Sequence, residues 1–169
     1  MKQIFKLSAL LIALCFSFVS CQKAYDPTPD VTKPDGTNPF KGTFSCKIDG
    51  DVFIAEQQTA TLSDVNGTKV LTVTGIQYGF ERDDKNFRTI SLVISGYNGN
   101  QKYAVGGNVQ VSYTIMVDGF ATSYTSTLTN TNYHVTTTGN YVGTFNTAVT
   151  EVGAPNTKIA LTEGKFDIQ

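Results

Sequence analysis

Between residues 109 and 117 every second side chain is large and apolar: Val109, Val111, Tyr113, Ile115 and Val117, separated by Gln110, Ser112, Thr114 and Met116. A period of two fits a pleated strand with one face in a core; an α-helix would need apolar positions every three or four residues. The same alternation recurs. Phe44, Cys46 and Ile48 share a face before Asp49-Gly50, a hairpin turn into residues 52–55. Residues 59–63 and 69–74 flank Asn66-Gly67, with Leu71 and Val73 on one side. Ile90, Leu92 and Ile94 alternate with Ser91, Val93 and Ser95 up to Gly96-Tyr97-Asn98-Gly99, and Asp118-Gly119 turns the chain into residues 122–127. No helix-start signal is followed by a sustained 3.6-residue period. Residues 40–169 therefore predict a single all-β domain of about eight to ten strands, mostly antiparallel, as a sandwich or flattened barrel.

The last two strands carry one irregularity. Tyr141, Phe145 and Val149 have the same parity, and so do Ile159 and Leu161, but Phe166 and Ile168 have the other. A core-facing strand cannot change parity without one additional residue. The sequence places that residue at Glu163-Gly164, which predicts a β-bulge there.

The beginning of the chain reads differently. Lys2 and Lys6 form a short positive stretch without acids, and residues 7–19 follow as an apolar run interrupted only by Ser8 and Ser17. Thirteen residues fall short of the ~20 that a membrane-crossing helix needs. A charged start, a short apolar run and small Ser20 describe a secretory signal over residues 1–20. Cys21 follows directly, an order that resembles the bacterial lipobox, with Phe18 where leucine is commonest. The resemblance implies a diacylglyceryl thioether on Cys21 and a mature chain held by lipid without a span. Gln22 after the cysteine agrees with outer-membrane delivery, whether facing the periplasm or the outside. Residues 22–39 hold Pro27, Pro29, Pro34 and Pro39 among polar residues. Such a run buries too little to fold and is expected to act as a disordered tether, reaching roughly 50 Å if extended.

Composition excludes several partners. Loss of Lys2 and Lys6 leaves 11 cations against 14 acids, a net charge of −3 after cleavage, with no basic patch for nucleic acid. Cys15 leaves with the signal and Cys21 takes lipid, so Cys46 has no disulfide partner in the mature chain and reads as a small buried hydrophobe.

Three motifs resemble a family of small, uncharacterised Bacteroidota envelope lipoproteins, a domain-of-unknown-function group. They are Tyr141-Val142-Gly143-Thr144-Phe145-Asn146, the ending Leu161-Thr162-Glu163-Gly164-Lys165-Phe166-Asp167-Ile168, and the opening hairpin from Cys46 to Ala55. The chain departs from the family at residues 130–138, which are richer in Thr and Asn. The resemblance implies a β-sandwich and an envelope location, and brings no catalytic residue with it.

The residues themselves offer little chemistry. His134 is the only histidine, which excludes a histidine-rich metal cluster or a two-histidine, one-carboxylate triad. Its Thr and Tyr neighbours make it a surface strand residue, with a Ser-His-Asp triad left open because triads assemble in space. Glu81, Asp83 and Asp84 could pair or hold calcium weakly, but Arg82, Lys85 and Arg88 beside them suggest a solvated charged turn. Asp49-Gly50-Asp51 is a turn before it is an ion site, and Gly106-Gly107 lacks the strand–helix context of a phosphate loop. No metal or cofactor is expected. The expectation is a non-catalytic module that contacts another envelope protein. The alternative is glycan binding through exposed tyrosines, Tyr97, Tyr103, Tyr124 and Tyr133, weakened by the absence of Trp. A hydrolase ranks third.

Overall fold

A computed structural model describes residues 42–79, 85–126, 132–139 and 141–168, all within one compact unit, Asn38–Gln169. The signal segment, Cys21 and the proline-rich tether lie outside the described residues, as do Glu81, Asp83 and Asp84.

The described residues form eleven strands and no helix. In chain order these are β1 (Gly42–Ile48), β2 (Asp51–Ile54), β3 (Gln57–Val65), β4 (Thr68–Tyr78), β5 (Phe87–Ser95) and β6 (Lys102–Ala104). They continue as β7 (Val109–Val117), β8 (Phe120–Thr125), β9 (His134–Gly139), β10 (Val142–Glu151) and β11 (Ala154–Ile168). All belong to one antiparallel sheet with the order β2-β1-β11-β10-β8-β7-β5-β4-β3, while β9 branches from β10 and carries β6. The expected turns are all present. Asp49-Gly50, Asn66-Gly67 and Asp118-Gly119 each have positive φ at both residues, the geometry of two-residue hairpin loops that follow the strand twist.

The sheet curls without closing, so that β1 lies across from β4. An added Cβ on Gly75 would come within 2.6 Å of the Phe44 ring, and Gln58 Nε2 donates to the Gly42 carbonyl at 2.7 Å. This arrangement is that of a sandwich or flattened barrel. The alternating residues named above fill it: Phe44, Phe53, Leu71, Val73, Ile90, Leu92, Val111, Val149, Leu161 and Phe166 are essentially fully buried. Each such side chain contributes about 1.5–3 kcal/mol through water exclusion. Phe44 sits at the centre, edge-on to Phe53 and tilted against Phe145.

The parity change in β11 is a bulge, at the expected place. Toward β1 the register moves from Ser45↔Lys165 to Lys47↔Thr162, and toward β10 from Phe145↔Gly164 to Thr147↔Leu161, three residues against two in both cases. The left-handed residue is Glu163, at φ 53, and not the glycine. Gly164 is required for a different reason: a Cβ there would lie 2.5 Å from the Phe145 ring. Its mirror stands beside it, since Gly143 opposes Phe166 and a Cβ on Gly143 would be 2.5 Å from that ring. Two glycines therefore make room for two phenylalanines across the β10–β11 ladder.

Candidate functional site

The β1–β2 and β10–β11 turns both lie close to β8 at one end of the sheet. Asp49 exchanges backbone and side-chain hydrogen bonds with Ala160 of β11, and Val152 N donates to Ser123 O of β8 at 2.9 Å. Tyr124 of β8 sits between these turns, stacked on Tyr113 of β7 with ring centroids 5.5 Å apart. The Tyr124 hydroxyl is raised above its ordinary pKa by burial first, then by the carboxylates of Glu151 and Asp49. Beyond it, Phe120 is 80 % exposed and Val152 is 66 % exposed. This end thus combines aromatic surface, two uncovered apolar side chains and a rim of acids.

Inside this end lies Arg88 on β5. It is 7 % exposed, donates to Gln77 Oε1 at 2.6 Å and Val52 O at 3.4 Å, and places its guanidinium 5.9 Å from the Phe53 ring centre. Arg88 is therefore an interior residue and not part of a solvated turn, a correction to the sequence reading. The sequence held the signal: Arg88 shares parity with Ile90, Leu92 and Ile94, the core face of β5. Lys85, its neighbour in that reading, is exposed. Arg88 opposes the burial that raises the Tyr113 hydroxyl, and it does the same for Cys46, whose thiol is nonetheless pushed up to about 12 by desolvation. Cys46 stays a protonated, 4 % exposed thiol at neutral pH, in the apolar role expected for it.

The four candidate stacking tyrosines do not form a platform. Tyr97 and Tyr103 belong to the core at 9 % and 3 % exposure and stack on each other at 6.0 Å. The Tyr103 hydroxyl donates to Gly99 O and accepts from Asn98 N, both at 2.9 Å, tying down the β5–β6 connection. Their faces are covered, so the expectation that they are displayed is corrected. The reason is the connection itself, which leaves β5 at Gly96 with φ 69 and turns its aromatics inward. Tyr124 and Tyr133 are half-buried against the core, and no described tyrosine is fully exposed.

His134 opens β9, half-buried, paired with Ala104 and Asn146, with Nδ1 3.2 Å from Asn132 O. Among the described residues it joins no ion pair. Asp49-Gly50-Asp51 is the β1–β2 turn, Asp49 Oδ1 being taken by Ala160 N, and no group of three or more metal-ligating side chains occurs among the described residues.

A second surface was not anticipated. On the outer face, Thr59, Thr74, Ser91, Ser112 and Thr125 are successive cross-strand partners on β3, β4, β5, β7 and β8. They form an uncharged hydroxyl row across five strands, with Thr74 Oγ1 3.2 Å from Ser91 Oγ. The row follows from register and is visible only once strand order is known.

In comparisons with known proteins, no family model, no curated protein and no solved structure matches this chain.

Proposed function

We propose that this chain is an outer-membrane lipoprotein, tethered by lipid on Cys21, whose β-domain binds another envelope protein and catalyses no reaction. The observation that carries the binding reading is the turn end, where Asp49 and Glu151 stand near the Tyr124 hydroxyl and the hairpins leading into and out of this region carry exposed Phe120 and Val152. Protein contacts favour an apolar or aromatic anchor with a polar rim, whereas isolated sugars are held by open aromatic faces. A large aromatic at 80 % exposure on a hairpin tip gains most of its burial from a partner. Support for the tether is the order of the first 39 residues: positive start, short apolar run, Ser20, Cys21, then a proline-rich polar stretch.

The test is capture of the full-length lipoprotein with its neighbours from its own envelope, run beside the Phe120→Ser and Val152→Ser variants. A partner retained by the parent chain and lost from both variants is the expected result. Recovery of the same partner by all three overturns the turn-end assignment. Fatty-acid labelling that persists in Cys21→Ser would overturn the tether.

Glycan binding keeps one observation in its favour, the hydroxyl row from Thr59 to Thr125. Retention of the chain on envelope polysaccharide, abolished by Thr74→Val with Ser91→Val, would move the reading there.

A further inference from the structure

The main path of the open sheet ends in two edge strands, β2 and β3, apart from the short β6 on its branch, and they are unlike. β2 offers four residues, Asp51–Ile54, a stretch too short to template much pairing. β3 offers nine, Gln57–Val65, and among the described residues its only ladder is with β4. That ladder runs without a shift from Gln57↔Ile76 to Val65↔Thr68. The strand has no proline, lysine or bulge to blunt its edge, and its single charge, Asp64, lies near its end, where Oδ1 accepts from Gly67 N of the adjoining turn. Residues 61–65 are all exposed, Leu62 and Val65 included.

From this edge we infer that β3 pairs antiparallel with β3 of a second copy of this chain, making one sheet continuous across a two-fold axis. Such an axis must keep core-facing residues beside core-facing residues, since a one-residue slip would send Leu62 to the wrong face. Of the registers that obey this, the one centred on Thr61 uses the whole strand. It sets Thr61 against its own twin, Thr59 against Ser63, Ala60 against Leu62 and Gln57 against Val65. Hydroxyl faces hydroxyl on the outer side, as in Thr–Thr and Thr–Ser cross-strand pairs that stabilise sheets. On the inner side the half-buried Ala60 covers Leu62 of the other copy. Asp64 falls opposite neutral Gln58, so the two aspartates stand roughly 20 Å apart, beyond a physiological screening length. The pairing also extends the hydroxyl row, with Ser63 of the second copy continuing it past Thr59.

An arbitrary partner strand would satisfy the backbone but would have no reason to match this pattern of hydroxyl, methyl and single charge. The sequence of β3 matches itself. Association is independent of the turn end, which lies on other strands.

The test uses the full chain in mild detergent, followed by light scattering coupled to size-exclusion chromatography. The parent chain is expected to run as a concentration-dependent dimer. Thr61→Lys and Thr61→Glu each place like charges in contact at the axis and should weaken dimerisation roughly tenfold or more. Mixing the two variants in equal amounts should restore a dimer, which a merely misfolded variant could not do. A parent chain that stays monomeric at high micromolar concentration, a Thr61→Lys dimer as tight as the parent's, or a mixture that remains monomeric would each overturn the pairing.

Discussion

The two halves of this sheet solve the same packing problem in different ways. From β3 through β4 and β5 to β7 the ladders run without a register shift, and buried Leu71, Val73, Ile90, Leu92 and Ile94 alternate with an outer face of hydroxyls. Around β1, β11 and β10 every long ladder is interrupted, a left-handed Glu163 reverses the parity of β11, and Gly143 and Gly164 stand where side chains would collide with Phe166 and Phe145. The regular half stabilises through many interchangeable aliphatic contacts. The interrupted half concentrates its packing in a few aromatic–glycine pairs that tolerate no added atom. Regular sheet is robust to single changes, and the bulged sheet lets β11, the longest strand, bend round the core while serving both β1 and β10.

Substitutions can pull the comparison apart. The largest effect is expected for Gly164→Ala, whose Cβ meets the Phe145 ring at 2.5 Å. It should cost about 2–3 kcal/mol by denaturant unfolding, and Gly164→Ala combined with Phe145→Leu should cost less than the sum of the two single changes. Additivity in that cycle would break the account of the interrupted half.

Alkaline titration gives the next effect. The Cys46 thiol ionises only near 12 in the folded chain, against 9.0 ordinarily. Above pH 9 the unfolded chain has lost the proton that the folded chain keeps, so stability falls as pH rises, by about 1.4 kcal/mol per pH unit until pH approaches 12. Unfolding of Cys46→Ala measured across that range should lack this share of the slope, and parallel curves for the two chains would refute it.

In the regular half, Ser91→Ala removes one hydroxyl from the middle of the row and its contact with Thr74 Oγ1 at 3.2 Å. A loss of about 0.5–1 kcal/mol is expected, since the partner hydroxyl retains access to water. A cost as large as that of Gly164→Ala would mean the two halves do not differ in tolerance.

The smallest effect concerns Glu163. Glycine relieves its left-handed backbone, at φ 53, but removes the exposed ion pair with Lys47 at 2.7 Å. Relief of the strain is worth about 1 kcal/mol or somewhat more and the exposed pair about 0–1 kcal/mol, opposite in sign, so Glu163→Gly should leave the unfolding midpoint nearly unmoved or slightly raised.

Much of the fold was legible because a strand's burial is written in alternation. The hairpins at Asp49-Gly50, Asn66-Gly67 and Asp118-Gly119, the core faces of β1, β4, β5 and β7, and the bulge at Glu163-Gly164 all follow from local pattern and turn chemistry. Tyr97 and Tyr103 were misread because alternation stops at Gly96, and past it only the path of the connection decides which way an aromatic points. Arg88 was misread because its charge was weighed and its parity was not. Of the turn end, Asp49, Tyr124 and Glu151 lie far apart in sequence, and nothing along the chain announces that they meet.

The amino-acid sequence by itself determines that the described part of the domain is built of strands, where the chain turns and which side chains seek the core, because these depend on neighbours two to four residues away. Only the tertiary structure decides which strands become neighbours, since that depends on closing the sheet over Phe44 and on total burial. From that choice come the hydroxyl row, the glycine–phenylalanine pairs, the approach of Asp49 and Glu151 to Tyr124, and the solitary edge of β3. Each is a relation between residues distant along the chain, fixed by packing that no local pattern contains.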